Sequence, residues 1–206
     1  MLDTYDNLLD SVVRWSHRKD IITMIPDFIM LAEYEMYNNA QTQLMTREME
    51  TIEVLTTTEK LIDLPENFEK MRSITLISGG NSLTIKYQAP EELLRRSGSG
   101  RPEFYTIIGN QIEFNRVPDA YYDLSITFYK KPCALTETNQ TNSVLTGYPN
   151  IYLYGVLHQV FLWSEDTQES VKYALKFQDA IKGANKADKK ARYGTAPTMR
   201  IEGATP

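Results

Sequence analysis

Residues 122–129 read Tyr-Asp-Leu-Ser-Ile-Thr-Phe-Tyr, and this stretch decides the fold class. Apolar and polar side chains alternate along it, so Leu124, Ile126 and Phe128 share one face of an extended chain. A period of two over eight residues predicts a half-buried β-strand. It is the clearest strand signal in the sequence.

The same alternation recurs earlier in the chain and predicts a β-module over residues 50–133. The further strands are predicted at Thr51–Val54, Ser73–Leu76, Ser82–Tyr87, Phe104–Ile108 and Gln111–Phe114. Gly79-Gly80-Asn81 and Gly109-Asn110 fall between strands and are typical of hairpin turns. Pro90–Arg96 predicts one or two turns of helix between strands. Short strands separated by turns favour a small antiparallel sandwich or barrel.

Helical periodicity flanks the β-module on its N-terminal side. Residues 1–49 predict two helices, with Asp3 and Thr23 as caps and Pro26 in a first turn, where its missing N–H is harmless. The two apolar stripes are Tyr5, Leu8, Leu9, Val12, Val13 and Ser16, followed by Ile25, Phe28, Ile29, Ala32 and Met36. This spacing places each stripe on one helix face.

Helical periodicity returns after the β-module. Residues 134–148 are polar and predict a linker, residues 149–192 predict the C-terminal helices, and residues 193–206 predict an extended arm. The last helix is expected over Thr167–Arg192, with Val171, Ala174, Leu175, Gln178 and Ile181 facing inward. The predicted fold is therefore α+β: an α-helical bundle with an inserted small antiparallel β-sandwich or barrel and an extended C-terminal arm.

Charge and composition bound the function classes. The 206 residues carry a net charge of −5, yet residues 186–206 hold five basic against two acidic residues. An acidic body argues against wrapping nucleic acid, whose binding needs a basic surface. A basic end suits docking to an acidic neighbour, although a solvated terminus fits it equally well. The longest apolar stretch, Ile151–Trp163, is too short and too interrupted to span a bilayer, so no membrane contact is expected.

The sequence carries no recognisable catalytic or metal-binding pattern. His17 and His158 lie on different predicted helices without metal-ligand spacing, and Cys133 is the one cysteine, as expected for a chain folding in a reducing cytosol. Glu33 and Glu35 are the nearest approach to a pair of catalytic carboxylates, but residues two apart on a helix point to different sides. We therefore expect neither enzymatic activity nor any cofactor or metal.

Two groups of residues are candidates for contacts between subunits or with a tail protein. Arg95, Arg96 and Arg101 cluster around a loop, where a solvated or subunit-bridging patch is favoured over base recognition. Tyr152 and Tyr154 lie in a helical pattern, where core or interface packing is the common use of tyrosine.

An ordered set of short segments resembles the head-to-tail adaptor, or head-completion, proteins of tailed bacteriophages. In chain order the segments are Val13-Arg14-Trp15, Arg18-Lys19-Asp20, Ile25, Phe28–Glu33, Arg47–Glu50, Leu64–Phe68, Pro90–Leu93, Ser99–Pro102, Tyr105–Ile107, Phe128–Pro132, Thr141-Asn142, Leu145-Thr146, Pro149, Tyr152–Gly155, Ala187-Asp188 and Ala191–Tyr193. No one segment is specific, but their order covers about residues 10 to 193. Cys133-Ala134-Leu135 departs from the more regular Pro-x-Leu run of such proteins.

The resemblance implies a structural virion protein at the neck, assembled in the host cytoplasm. It implies a ring, of about twelve copies, that docks on the portal protein after DNA packaging and carries the downstream tail or nozzle proteins. DNA would pass through the lumen without specific binding. The residues expected at the portal are Lys189, Lys190, Arg192, Tyr193, Met199, Arg200 and Ile201.

Two alternatives stay open at the level of sequence. One is another neck or tail structural protein, such as a stopper or a tube subunit. The other is a cell-wall hydrolase carried in the virion.

Overall fold

The computed structural model describes residues 2–78 and 80–192, and it divides the chain into two compact units. A helical unit combines Met1–Arg47 with Pro132–Pro206, and a β-unit spans Glu48–Lys131. Because the helical unit is made of both ends of the chain, the β-unit is an insertion in its sequence. The predicted arm, residues 193–206, lies outside the described residues.

The described part of the helical unit contains five α-helices. They are α1 (Tyr5–Ser16), α2 (Ile25–Asn38), α4 (Ser143–Gly147), α5 (Pro149–Trp163) and α6 (Thr167–Arg192), numbered so that α3 (Pro90–Leu94) falls in the β-unit. Helix α5 packs against α1, α2, α4 and α6 and is the centre of the unit. Within the described residues, none of these helices has the length and apolar content that crossing a bilayer demands.

The first two helices follow the predicted stripes, but their caps differ from prediction. All five stripe residues predicted for α2 are buried. At α1 the cap is Thr4, whose side chain accepts the Asn7 N–H, while Asp3 accepts the Asn7 side-chain amide instead. At α2 the cap position is Met24, without a side-chain bond, and the prediction of Thr23 is wrong. Pro26 lies in the first turn as predicted, where no backbone donor is needed.

The predicted linker, residues 134–148, contains a short helix. The Asn142 side chain accepts the Leu145 N–H at 2.8 Å, which caps α4, and Val144 and Leu145 are buried. The segment is rich in Thr and Asn, so its composition predicted a linker and no helix. The helix depends on only two buried apolar residues and on one asparagine that caps it.

The inward face of α6 is rotated from the one predicted and overlaps it only in part. Val171 and Leu175 are more than half exposed, whereas Tyr173 and Phe177 are buried. Of the other residues predicted to face inward, Ile181 is buried and Ala174 and Gln178 are partly buried. Both faces have helical spacing, but an aromatic ring buries more apolar area than valine or leucine. On the buried face, Tyr173 stacks on Phe161 of α5, with ring centroids 5.4 Å apart.

The β-unit contains nine strands among its described residues. They are β1 (Glu50–Thr57), β2 (Leu61–Asp63), β3 (Phe68–Ser78), β4 (Asn81–Tyr87), β5 (Gly98–Ser99), β6 (Phe104–Ile108), β7 (Gln111–Phe114), β8 (Arg116–Val117) and β9 (Tyr122–Lys130). A 3₁₀ turn at Arg47–Met49 precedes β1.

Seven of these strands form one mostly antiparallel, barrel-like and nearly closed sheet in the order β1-β9-β3-β4-β6-β7-β2. The β4–β6 pair is parallel, and β5 and β8 form a separate parallel pair. Helix α3 lies in the connection between β4 and β6, because parallel neighbours need a crossover rather than a hairpin. The strand that decided the fold class, β9, lies between β1 and β3.

The sheet's core and hairpins agree with the sequence patterns. Leu124, Ile126 and Phe128 of β9 are at most 1% exposed. They pack with Ile74, Leu76, Ile85, Tyr105, Ile112 and Phe114. Ser78 pairs with Asn81 and Ile108 with Gln111, which confirms both predicted hairpins, and Gly109 supplies the positive φ of +59° that the second turn requires. The α+β class is confirmed.

Candidate interaction surfaces

A buried carboxylate, Glu33 of α2, joins three segments of the helical unit. Its Oε1 accepts the Tyr152 hydroxyl of α5 at 2.7 Å and the Leu135 backbone N–H at 3.0 Å. The Asn142 side-chain amide donates to the same tyrosine oxygen at 2.7 Å and to the Cys133 carbonyl at 3.0 Å. This network fastens the segment before α4 onto α2 and α5.

The same segment is also tied to the start of α1. Gln140 accepts the Tyr5 N–H on its backbone oxygen at 2.7 Å, and its side-chain oxygen accepts the Asp6 N–H at 3.2 Å. These are donors of the first helical turn, which have no partner within a helix. Residues 133–142 are therefore fixed at both α1 and α2.

Burial governs the protonation of this cluster. Desolvation raises the pKa of Glu33, although the hydrogen bonds from Tyr152 and Leu135 favour its ionised form and oppose the shift. The pKa of Tyr152 is raised far above its usual value by burial and by the neighbouring Tyr37 and Glu33. Tyr152 therefore stays a hydrogen-bond donor at any ordinary pH.

The two tyrosines predicted at an interface lie in different environments. Tyr152 is 0% exposed and belongs to the core, so its prediction as a contact with a neighbouring protein is wrong. Sequence periodicity could not separate it from Tyr154, because apolar residues occur all round α5. Tyr154 is half-buried, packs against Trp15 and Tyr173, and has the Lys176 ammonium 5.5 Å from its ring centroid.

Glu33 and Glu35 take different partners, in agreement with their spacing on α2. Glu35 lies 3.3 Å from the Gln159 amide and 3.9 Å from His158 Nε2, both of α5. His158 in turn lies 3.0 Å from the Ser170 carbonyl of α6. Across residues 2–78 and 80–192, no three His, Cys, Asp or Glu side chains form a cluster that could hold a metal ion.

The C-terminal end of α6 presents a basic surface above a buried aspartate. Lys189 and Lys190, two of the residues predicted at the portal, are exposed. Arg192, by contrast, lies 2.7 Å from Asp188, which also accepts the Arg47 N–H at 3.0 Å and so fixes this end of the helix. Tyr193, Met199, Arg200 and Ile201, the other residues predicted at the portal, lie outside the described residues.

Arg95, Arg96 and Arg101, the arginines predicted at a contact, are all exposed around a loop held by a buried asparagine that the sequence patterns did not indicate. Arg95 pairs with Glu92 at 3.1 Å, and the Arg96 guanidinium lies 4.7 Å from the Phe104 ring centroid. Asn115, 1% exposed, accepts the N–H groups of Glu103 and Phe104 and donates to the Arg96 carbonyl. Asparagine next to a strand end was the available signal. Arg101 forms no hydrogen bond or ring contact with Arg95 or Arg96, so the structure does not join the three arginines into one cluster.

Large apolar side chains remain exposed on both units. In the helical unit they include Met30, Leu31 and Tyr34 on α2 and Val171 and Leu175 on α6; in the β-unit they include Ile52 and Val54 on β1. Each group repeats at the period of its own element, so its members form an apolar strip on one face of that element. Contiguous exposed apolar surface is typical of protein–protein contacts.

Two comparisons bear on identity. No curated protein matches the chain. The family model described as SU10 adaptor protein matches residues 3–200, which is nearly the whole chain and includes both units. The match confirms the resemblance to head-to-tail adaptors that the ordered segments indicated. The chain therefore belongs to the SU10 adaptor protein family, a family of phage head-to-tail adaptors.

Proposed function

We propose that this phage structural protein forms a ring, of about twelve copies, which docks on the portal protein after DNA packaging and provides the platform for tail attachment. The observation that carries the proposal is the family match over residues 3–200. A phage adaptor belongs to the virion, and we propose that this one lies at the neck below the portal after assembly in the host cytoplasm. Downstream tail or nozzle proteins are its further partners.

Surface chemistry supports an assembly role. The exposed apolar strips on α2, α6 and β1 are not buried in the core of either unit. They are therefore available for contacts between copies. Lys189 and Lys190, exposed at the end of α6, suit docking on an acidic neighbour. The exposed Arg95, Arg96 and Arg101 remain candidates for a subunit or tail contact.

The net charge of −5 suits a lumen through which DNA slides. Like charges repel, so an acidic wall does not retain the phosphate backbone. DNA therefore passes without specific binding. No cofactor takes part in this function.

Native mass spectrometry of the full chain with and without purified portal rings tests the proposal. The chain alone should be monomeric or weakly associated, and portal rings should gain a complete ring of it. Lys189→Gln with Lys190→Gln should weaken attachment, while Lys19→Gln, an exposed lysine of α1's C-terminal loop, should not. A stoichiometry that portal rings leave unchanged would contradict the proposal.

Two further experiments separate the alternatives. Deleting Thr195–Pro206 should leave heads that fill with DNA but lack the adaptor, whereas unaltered attachment would favour a stopper or tube protein. Peptidoglycan zymography tests the hydrolase alternative. If the wild type clears the gel and Glu33→Gln does not, the protein is a hydrolase and the proposed function is wrong.

A further inference from the structure

A groove of about 500 Å³ opens on the helical unit between α2 and the segment that precedes α4. Its lining is mostly apolar, and the acidic residues in it are Glu33 at its base and Glu137. The principal apolar and small residues lining it are Tyr5, Pro26, Met30, Leu135 and Thr138. All of these residues belong to the helical unit.

The carboxylate of Glu33 has one oxygen left over. Both of its hydrogen bonds, from Tyr152 and Leu135, go to Oε1, and no described residue donates to Oε2. Glu33 is only 8% exposed, and an ionised carboxylate in such a place is costly unless a cation accompanies it. Yet no described lysine or arginine forms an ion pair with it. The groove therefore has a base that favours a positive charge from outside the subunit.

The shape of this site selects lysine among cationic groups. A lysine side chain combines an aliphatic stem with a compact charged end, which matches apolar walls above a carboxylate. Arginine is recognised best when two carboxylate oxygens accept in parallel, but Oε1 of Glu33 already accepts two donors. A single available oxygen suits the point charge of an ammonium group. The exposed Glu137 at the groove adds a second negative charge.

The helical unit itself presents lysines of this kind. Lys172 pairs with Glu169 at 2.8 Å, and Lys176 lies over the rings of Tyr154 and Tyr173. Lys182 and Lys186, one turn apart on α6, are exposed and form no ion pair with any described residue. They continue the face of α6 that carries the exposed Val171 and Leu175. One face of α6 is thus apolar towards its N-terminal end and basic further along the helix.

We propose that the Glu33 groove receives Lys182 or Lys186 of a neighbouring copy, an inference that rests on the proposed assembly into a ring. Val171 and Leu175 of the same helix then pack on the exposed Leu31 and Tyr34 of α2, beside the groove. The two surfaces are different parts of one subunit, so the contact is heterologous. Each copy offers one surface to each neighbour, and such contacts close into a ring when the rotation permits.

The native cysteine gives a direct test, because exposed Cys133 directly precedes the groove residue Ala134. In the full chain, Lys182→Cys and Lys186→Cys should each become linked to Cys133 of a neighbour by a short bis-maleimide reagent on portal rings. A heterologous contact yields a ladder of covalent multimers, whereas a symmetric dimer contact stops at two chains. Matched controls are Lys19→Cys, and Lys186→Cys combined with Cys133→Ala. Neither should give a ladder.

A second measurement uses charge rather than tethering. Glu33→Gln should weaken association between copies by about tenfold or more, and Asp10→Asn, which removes an exposed carboxylate of α1, should leave it unchanged. Combining Glu33→Gln with Lys182→Gln and Lys186→Gln should cost little beyond Glu33→Gln alone, because both changes remove one interaction.

The outcomes separate this inference from the proposed function. If wild-type rings form but cysteines at 182 and 186 link only within one chain, or no better than cysteine at 19, the groove contact is wrong and the ring stands. Unchanged association in Glu33→Gln has the same consequence. If wild-type chains do not gather on portal rings at all, the proposed function fails, and this contact fails with it.

Discussion

The Tyr152 hydroxyl donates a 2.7 Å hydrogen bond to Oε1 of Glu33, linking α5 to α2 inside the helical unit. The two residues are 119 positions apart in sequence, on opposite sides of the inserted β-unit. A buried tyrosine and a buried carboxylate each require a partner, and here each satisfies the other. The pair therefore helps to join the two ends of the chain into one unit.

Tyr152→Phe should destabilise the protein by about 1–3 kcal/mol, because it leaves Oε1 of Glu33 with one donor and the Asn142 amide with one acceptor fewer. Urea unfolding followed by circular dichroism measures the change. Tyr154→Phe is the matched control on the same helix. Its hydroxyl has no hydrogen bond to a described residue, so its effect should stay within about 0.5 kcal/mol. Equal losses in both variants would contradict the role given to Tyr152.

Glu33 should make the isolated chain less stable as pH rises. Burial raises the pKa of this carboxyl above its ordinary value of 4.5, so the folded chain keeps the proton to higher pH than the unfolded chain. The stabilisation by protonated Glu33 is fully present below 4.5 and is lost as pH rises through the folded pKa. Urea midpoints of wild type and Glu33→Gln between pH 4 and pH 8, a range set about that ordinary carboxyl pKa, measure this dependence.

The glutamine variant should lack this contribution. Its side-chain carbonyl still accepts from Tyr152 and Leu135 but cannot ionise, so the difference between variant and wild type should grow in favour of the variant with rising pH. Asp10→Asn, at an exposed position, should keep the wild-type dependence. A constant difference between wild type and Glu33→Gln across the range would show that Glu33 keeps an unshifted pKa.

The spacing of residues close in sequence predicted most helices and strands. The errors in predicting which residues are buried come from contacts between residues distant in sequence. Helix α2 and strand β9 each have a single apolar face, which packs against a single core. The spacing of their apolar residues was therefore sufficient to predict which side chains are buried. On α6 two faces carried apolar residues at helical spacing, and stacking of Tyr173 on Phe161 decided between them. The Glu33 groove needs a turn of chain from residues 133–142 beside α2, which no spacing rule places there. Its acidic base was visible only as one glutamate in an apolar stripe.

Gly155→Ala should destabilise the helical unit by about 1–3 kcal/mol, although alanine is the better helix former. A Cβ built at Gly155 of α5 would lie 2.9 Å from Cε2 of Phe177 and 3.1 Å from Cβ of Ala32, so α2 and α6 leave no space for it. Gly183→Ala is the opposite case, because nothing lies within 4 Å of its Cβ. That variant should gain about 0.5–1 kcal/mol. Thermal unfolding of both variants provides the comparison, and a stabilised Gly155→Ala would show that α5 packs less closely.

Asn115→Ala should loosen the loop that carries the exposed arginines. It removes the acceptor of the Glu103 and Phe104 N–H groups and the donor to the Arg96 carbonyl, for a loss of about 2 kcal/mol or more. Hydrogen exchange over residues 95–104 should accelerate along with it. Gln111→Ala, which loses one exposed bond to Asp63, should change stability by less than about 0.5 kcal/mol. Unchanged exchange in Asn115→Ala would mean that the loop is held by other contacts.

Glu33→Gln should separate the stability of a subunit from the assembly of the ring. Above the folded pKa of Glu33, the variant avoids an ionised buried carboxylate and so should unfold at higher urea than wild type. The same change removes the charge that we propose meets a neighbour's lysine, so copies should associate more weakly. Functional sites commonly sacrifice stability in this way, because a group suited to a partner is poorly matched alone. Unfolding of the isolated chain and native mass spectrometry on portal rings, both at pH 8, measure the two effects. A variant that gains stability and still assembles as well as wild type would leave the charge of Glu33 without a role in assembly.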